Sequence, residues 1–118
     1  MIKLFFLLLC AHAIGDFALQ TDTMARSKNR HATPPKTYDP LIHGKLQATW
    51  FYYLSTHALC NGFMVYFVTN NFCIGMLETL SHWLIDFAKG ENLHKNIHLD
   101  QFLHLVTKII WLILIYYL

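Results

Sequence analysis

The sequence predicts an all-α protein, a four-helix transmembrane bundle with both termini on the non-cytoplasmic side. Three observations carry that expectation. The 118 residues are 55% hydrophobic and the mean hydropathy is positive, outside the ordinary soluble range. The apolar residues gather into four stretches, at about residues 2–19, 46–69, 72–88 and 100–118. Each approaches the roughly 20 residues that a bilayer-crossing helix needs. Finally, seven of the nine Lys and Arg residues fall in the two longer connections, which an even number of crossings places on one side. By the positive-inside tendency that side is cytoplasmic.

The first stretch imitates a secretory leader, with Lys3, an apolar run and the small residues Ala11 and Ala13. Because the chain carries this segment from Met1 onward, it is expected to be a retained first membrane helix. A polar connection at about residues 20–45 follows, holding Arg26, Lys28, Arg30, Lys36 and Lys45 with the breakers Pro34, Pro35 and Pro40. It reads as a cytoplasmic loop with a short helical turn before the prolines. Thr69-Asn70-Asn71 is a tight uncharged turn, so the second and third helices should form an antiparallel hairpin. Lys89-Gly90-Glu91-Asn92 ends the third helix, and His94 to His98 lead into the fourth. Asp100 then sits in a first turn, where the helix dipole favours a carboxylate. The whole chain, 1–118, reads as a single membrane domain.

Inside these apolar runs one spacing recurs: His12 with Asp16, His82 with Asp86, and Asp100 with His104, each pair four residues apart. Four residues is about one helical turn, so each pair projects from one helix face. Charge topology puts all three pairs at one level, toward the cytoplasmic side. Buried imidazoles and carboxylates are costly unless they meet one another or a metal. His57, on a face shared with Tyr53 and Asn61, offers a contribution from the second helix, about 16 Å from its cytoplasmic end by the helical rise. Glu78, one turn above His82, would be the floor of the site, and Gln20 and Gln101 flank the pairs.

Nitrogen and oxygen donors of this kind suit zinc, manganese or ferrous iron. Zinc or manganese is expected, as one or two ions. The rival reading is a structural or proton-carrying polar network. Cys10, Cys60 and Cys73 are odd in number and lie in apolar sequence, which points to neither a disulfide framework nor a thiolate zinc site. Lys108, four residues beyond His104, is placed to meet an anionic substrate group. His94 and His98 are read as solvated or interfacial. The net charge of +2, with no stacking aromatics among the basic residues, argues against nucleic acid as a partner.

The segments His12-Ala13-Ile14-Gly15-Asp16-Phe17-Ala18-Leu19-Gln20, Ser81-His82-Trp83-Leu84-Ile85-Asp86 and Asp100-Gln101-Phe102-Leu103-His104 together resemble domain-of-unknown-function family 3307. These are small integral membrane proteins of bacteria and their phages. In layout the chain is similar to proteins grouped as membrane-bound metal-dependent hydrolases. That likeness implies a metal site on His12, Asp16, His57, His82, Asp86, Asp100 and His104, and residence in the bacterial inner membrane.

The leading expectation is therefore a metal-dependent hydrolase acting on a lipid or other membrane-borne ester or phosphoester, with Asp16, Asp86 and Asp100 as catalytic carboxylates. Its partners would be membrane lipids, including a lipid substrate. The alternatives are a non-enzymatic bacterial or phage protein that binds a host membrane protein and uses a structural metal, or metal-ion or proton transport. Nothing in the sequence fixes the oligomeric state.

Overall fold

The computed structural model of the chain describes residues 1–33, 39–43 and 46–117. Pro34, Pro35, Lys36 and Lys45, expected in the connecting loop, lie outside the described residues, as does Leu118. The described residues are all-α, with no strand. Helix α1 (Ile2–Ala13) runs without a break into a π-helical segment (Ile14–Ala18), and a short α2 (Asp22–Ser27) and α3 (Pro40–His43) follow. Three long helices complete the chain: α4 (Leu46–Thr69), α5 (Phe72–Gly90) and α6 (Ile97–Tyr117).

The long elements form a ring in which α1 packs on α4, α4 on α5, α5 on α6, and α6 back on α1. The bundle measures 51 × 26 × 21 Å. The expected boundaries shift at two places: α5 continues to Gly90, and α6 begins at Ile97, three residues before Asp100. The expected helical turn before the prolines is α2. It is capped by Thr21, whose hydroxyl accepts from the Met24 amide at 3.2 Å.

The hairpin between α4 and α5 forms through the turn expected for it. Asn70 takes a positive φ of 50°, the left-handed conformation that ends many helices and that asparagine tolerates. Asn71 then caps α5 by accepting from the Ile74 amide at 3.2 Å. Two glycines let the two helices approach backbone to backbone. A Cβ on Gly62 would overlap the Thr79 hydroxyl and stand 2.7 Å from the Gly75 carbonyl oxygen. A Cβ on Gly75 would stand 2.8 Å from Tyr66 Cβ.

Polar groups are concentrated in the interior. Twelve of the described buried residues are polar or charged, against seven hydrophobic ones. Large apolar side chains such as Phe6, Phe63, Phe67, Leu80 and Ile113 face outward. The apolar core proper, Leu8, Val65, Ile74 and Trp111, occupies the end of the bundle away from α2. Among the described residues one helix, Ile97–Tyr117, is long and apolar enough to cross a membrane. Helices α4 and α5 have inward faces that carry His57, Asn61, Glu78, His82 and Asp86, which lowers their average hydropathy while their outer faces stay apolar.

At the other end, α2 is tied to the end of α5 by Arg30. Its guanidinium pairs with Glu91 and lies 5.6 Å from the centre of the Phe87 ring. Arg30 beside Glu91 holds that carboxyl below the usual carboxylate range.

Gly62→Leu should destabilise the protein by about 1–3 kcal/mol through overpacking, read as an earlier midpoint in denaturant titration of the purified protein. Gly90→Ala, whose added Cβ would meet nothing closer than 3.6 Å, should leave the midpoint no lower than that of the original protein.

Candidate metal centre

The centre begins where α1 changes pitch. Over Ile14–Ala18 the hydrogen bonds widen to a π-helical turn, closed by the Leu19 amide on the Ile14 carbonyl at 2.9 Å. Such turns recur at functional sites because the extra residue re-aims side chains. Asp16 lies inside this turn and is buried. Its neighbour Gly15 leaves the space that the Asn61 amide fills: a Cβ there would stand 2.6 Å from Asn61 Cγ. Asn61 in turn donates from Nδ2 to Asp16 Oδ1 at 3.2 Å and to the His57 carbonyl at 3.2 Å.

Around Asp16 Oδ1 converge donors from α4 and α5. His82 Nε2 is 3.2 Å away and His57 Nε2 3.4 Å, and the two imidazole nitrogens are 3.1 Å from each other. Asp86 Oδ2 lies 3.4 Å from His57 Nε2 and 3.6 Å from His82 Nε2. A tetrahedral ion with bonds of about 2.0–2.2 Å holds its donors about 3.3–3.6 Å apart. Three of the separations given for these four atoms fall in that range, and the other two, at 3.1 and 3.2 Å, are slightly shorter. No thiol takes part, and the donor set of two imidazoles and two carboxylates suits zinc, manganese or iron.

Charge favours the same conclusion. Four buried carboxylates, Asp16, Asp86, Asp100 and Glu78, face three lysines. Lys28 Nζ is 2.6 Å from Asp86 Oδ2, Lys89 Nζ 2.7 Å from Asp100 Oδ2, and Lys108 Nζ 2.6 Å from Glu78 Oε1. Among the described residues Asp16 has no lysine or arginine partner, so its charge is the one left for a cation.

His104 and His12 complete the wall. The His104 ring is fully buried, 4.2 Å from the His82 ring centre and 5.3 Å from that of His12. Neither of its nitrogens has a hydrogen-bond partner, an arrangement that costs energy unless another group, such as a cation, satisfies it. His12 Nε2 is 3.1 Å from Gln101 Oε1 and 3.7 Å from Asp16 Oδ2, while its Nδ1 is unpartnered. Buried groups that fit a metal ion occur as Asp16–His82–His104, His57–His82–Asp86 and Asp86–Asp100–His104. All seven sequence-derived ligand candidates thus lie in one connected cluster, with His12 at its edge.

Glu78 acts from beneath. Its Oε1 accepts from His82 Nδ1 at 3.4 Å, the tautomer that leaves the Nε2 lone pair facing the centre. Its Oε2 accepts from the Trp111 indole at 2.5 Å. Lys108, read from the sequence as a contact for an anionic substrate group, is fully buried against Glu78 instead, because helix α6 turns it into the bundle. His94, read as solvated or interfacial, has only 8% of its side chain exposed, with Nε2 3.3 Å from Asp100 Oδ1. The residue is half-buried, its ring turned to the start of α6. Lys28 and Lys89 were likewise read as loop charges, and their pairing with Asp86 and Asp100 comes only from the fold. Gln20 stays local, donating to the Asp16 carbonyl at 3.2 Å.

A family model described as "Protein of unknown function (DUF3307)" matches residues 4–118. No curated protein and no solved structure matches the chain.

Glu78→Gln should weaken metal binding about 10- to 100-fold by loosening His82, measured by competition with a chromophoric chelator. It should also destabilise the fold by leaving the Lys108 charge unpaired. Adding Lys108→Met should restore stability without restoring affinity. A double variant with the metal affinity of the original protein would show that Glu78 only neutralises Lys108.

Proposed function

The chain belongs to the family described as "Protein of unknown function (DUF3307)", and within it we propose that this protein is a membrane-embedded, metal-dependent hydrolase acting on a lipid or other membrane-borne ester or phosphoester. The observation that carries the reading is the convergence of Asp16 Oδ1, His57 Nε2, His82 Nε2 and Asp86 Oδ2, with both carboxylate oxygens 3.2–3.6 Å from the two imidazole nitrogens, beside an imidazole, His104, with no committed partner. The membrane setting is supported by an interior rich in charge inside an apolar exterior, the arrangement that lipid rather than water rewards. In this setting α1 with its π segment, α4, α5 and α6 are the four crossings, both termini face outward, and the lysine-bearing end lies toward the cytoplasm of a bacterial inner membrane.

When bound, a divalent ion such as zinc or manganese supplies Lewis-acid polarisation of the scissile group and acidifies water. The side chains of the chain do the rest. Asp16 Oδ2, the oxygen outside the quartet, is 3.7 Å from His12 Nε2 and 3.5 Å from Gln101 Nε2, and serves as the acceptor for the proton of the attacking water. Asn61 fixes the other oxygen of the same carboxylate, so that oxygen keeps its direction toward the two histidines. Asp86 and Asp100 hold the lysines at the cytoplasmic end, where the half-buried ammonium groups favour an anionic headgroup over a neutral one.

One observation favours a second reading. Four protein donors are also how structural zinc is held, which fits a non-enzymatic protein that docks on a host membrane complex. Transport is less well supported. Beyond Glu78 and Lys108 the described interior passes into the apolar cluster of Leu8, Val65, Ile74 and Trp111.

The test uses the full chain purified in detergent, with elemental analysis followed by incubation with vesicles of extracted bacterial lipids and mass spectrometry of the products. Stoichiometric transition metal and chelator-sensitive lipid cleavage are expected, with Asp16→Asn lowering turnover at least about 100-fold. Absence of metal would overturn the hydrolase reading. Stoichiometric metal with no cleavage, but with loss of helicity on chelation, would support the structural one.

A further inference from the structure

Asp86 presents its two oxygens to different surroundings. Oδ2 belongs to the quartet, whereas Oδ1 lies 3.7 Å from His104 Nε2. Asp100 approaches the same nitrogen from α6, its Oδ1 4.0 Å from His104 Nε2. That Oδ1 is also 3.3 Å from His94 Nε2. The two lysines at this end sit on the opposite oxygens, Lys28 on Asp86 Oδ2 and Lys89 on Asp100 Oδ2. Each ammonium thereby fixes its carboxylate while leaving Oδ1 turned toward His104. The imidazole they face is fully buried and has no hydrogen-bond partner on either nitrogen.

We infer that a second divalent transition-metal ion binds here, held by Asp86 Oδ1, His94 Nε2, Asp100 Oδ1 and His104 Nε2, with Asp86 bridging it to the ion of the quartet. The inference rests on the metal-centre reading above and extends it to a dinuclear site. Two observations carry it beyond the presence of the acidic pair. A buried imidazole without a hydrogen-bond partner lies near two carboxylate oxygens that no lysine occupies, and the half-buried His94, from a polar connection, has its nitrogen 3.3 Å from one of those oxygens. The donor set, two imidazoles and two carboxylates, repeats that of the quartet, so the same class of ion suits both positions. A bridging carboxylate between paired ions is a arrangement suited to hydrolysis, because two cations can hold the attacking and leaving oxygens together.

The experiment titrates the metal-depleted full chain in detergent with Mn(II) and separately with Zn(II), reading stoichiometry by elemental analysis and Mn–Mn coupling by electron paramagnetic resonance. Two equivalents per chain and a coupled multiline Mn(II) spectrum are expected. His94→Ala and Asp100→Asn should each drop to one equivalent and give the six-line signal of an isolated ion. His98→Ala, at an exposed neighbouring position, should keep two. Circular dichroism establishes that each variant is folded, and the stoichiometry of the original chain decides the matter whether or not a variant folds. Saturation at one equivalent overturns the second site while leaving a mononuclear hydrolase standing. No uptake of either ion overturns both. Two coupled ions in folded His94→Ala would overturn the role of His94.

Discussion

The cost of burying charge organises this protein. Four carboxylates, four histidines and a lysine lie within the interior of a small bundle, where an unpaired ion would be prohibitive and an unpaired imidazole expensive. The other polar contacts of the interior answer that constraint. Lys28, Lys89 and Lys108 each neutralise one carboxylate, Asn61 and Gln101 supply donors between the charges, and Trp111 closes the last oxygen of Glu78. What they leave uncompensated is concentrated at Asp16 and His104, and those are the positions from which a cation is read.

The scaffold meets the constraint by two departures from regular helix geometry. The π-helical turn in α1 lets Asp16 and Gly15 address α4 together, one by its carboxylate and the other by the room it leaves for Asn61. The glycine contact between α4 and α5 sits one helical turn and more beyond the site, and holds close the two helices that carry His57 and His82. Their rings meet at 3.1 Å between nitrogens, a separation that looser packing of the hairpin would open. Fold and site are therefore one object, since the groups that form the centre are also the polar part of the core.

Much of the centre was legible because its parts are local. A four-residue separation in a helix places His82 above Asp86, or Asp100 below His104, whatever the rest of the chain does. The Thr69-Asn70-Asn71 turn and the Thr21 cap are equally local, and each forms through side-chain contacts within three or four residues. The partners of the charges were not legible. Lys28 is 58 residues from Asp86, and Lys108 is 30 from Glu78, so no periodicity links them. The contact of His94 with Asp100 was not legible for a related reason, since polar flanking sequence describes the connection without saying which carboxylate its histidine meets.

The sequence by itself determined the helices, their apolar and polar faces, and which residue types stand at each level, because those follow from backbone periodicity and the cost of burying polar groups. Tertiary structure alone decided which oxygen faces which nitrogen. It divided Asp86 between two surroundings, turned Lys108 from a substrate contact into a buried counter-charge, and left His104 without a partner. Those outcomes depend on helix rotation and separation at the scale of tenths of an ångström, and they are fixed only when all four helices pack together.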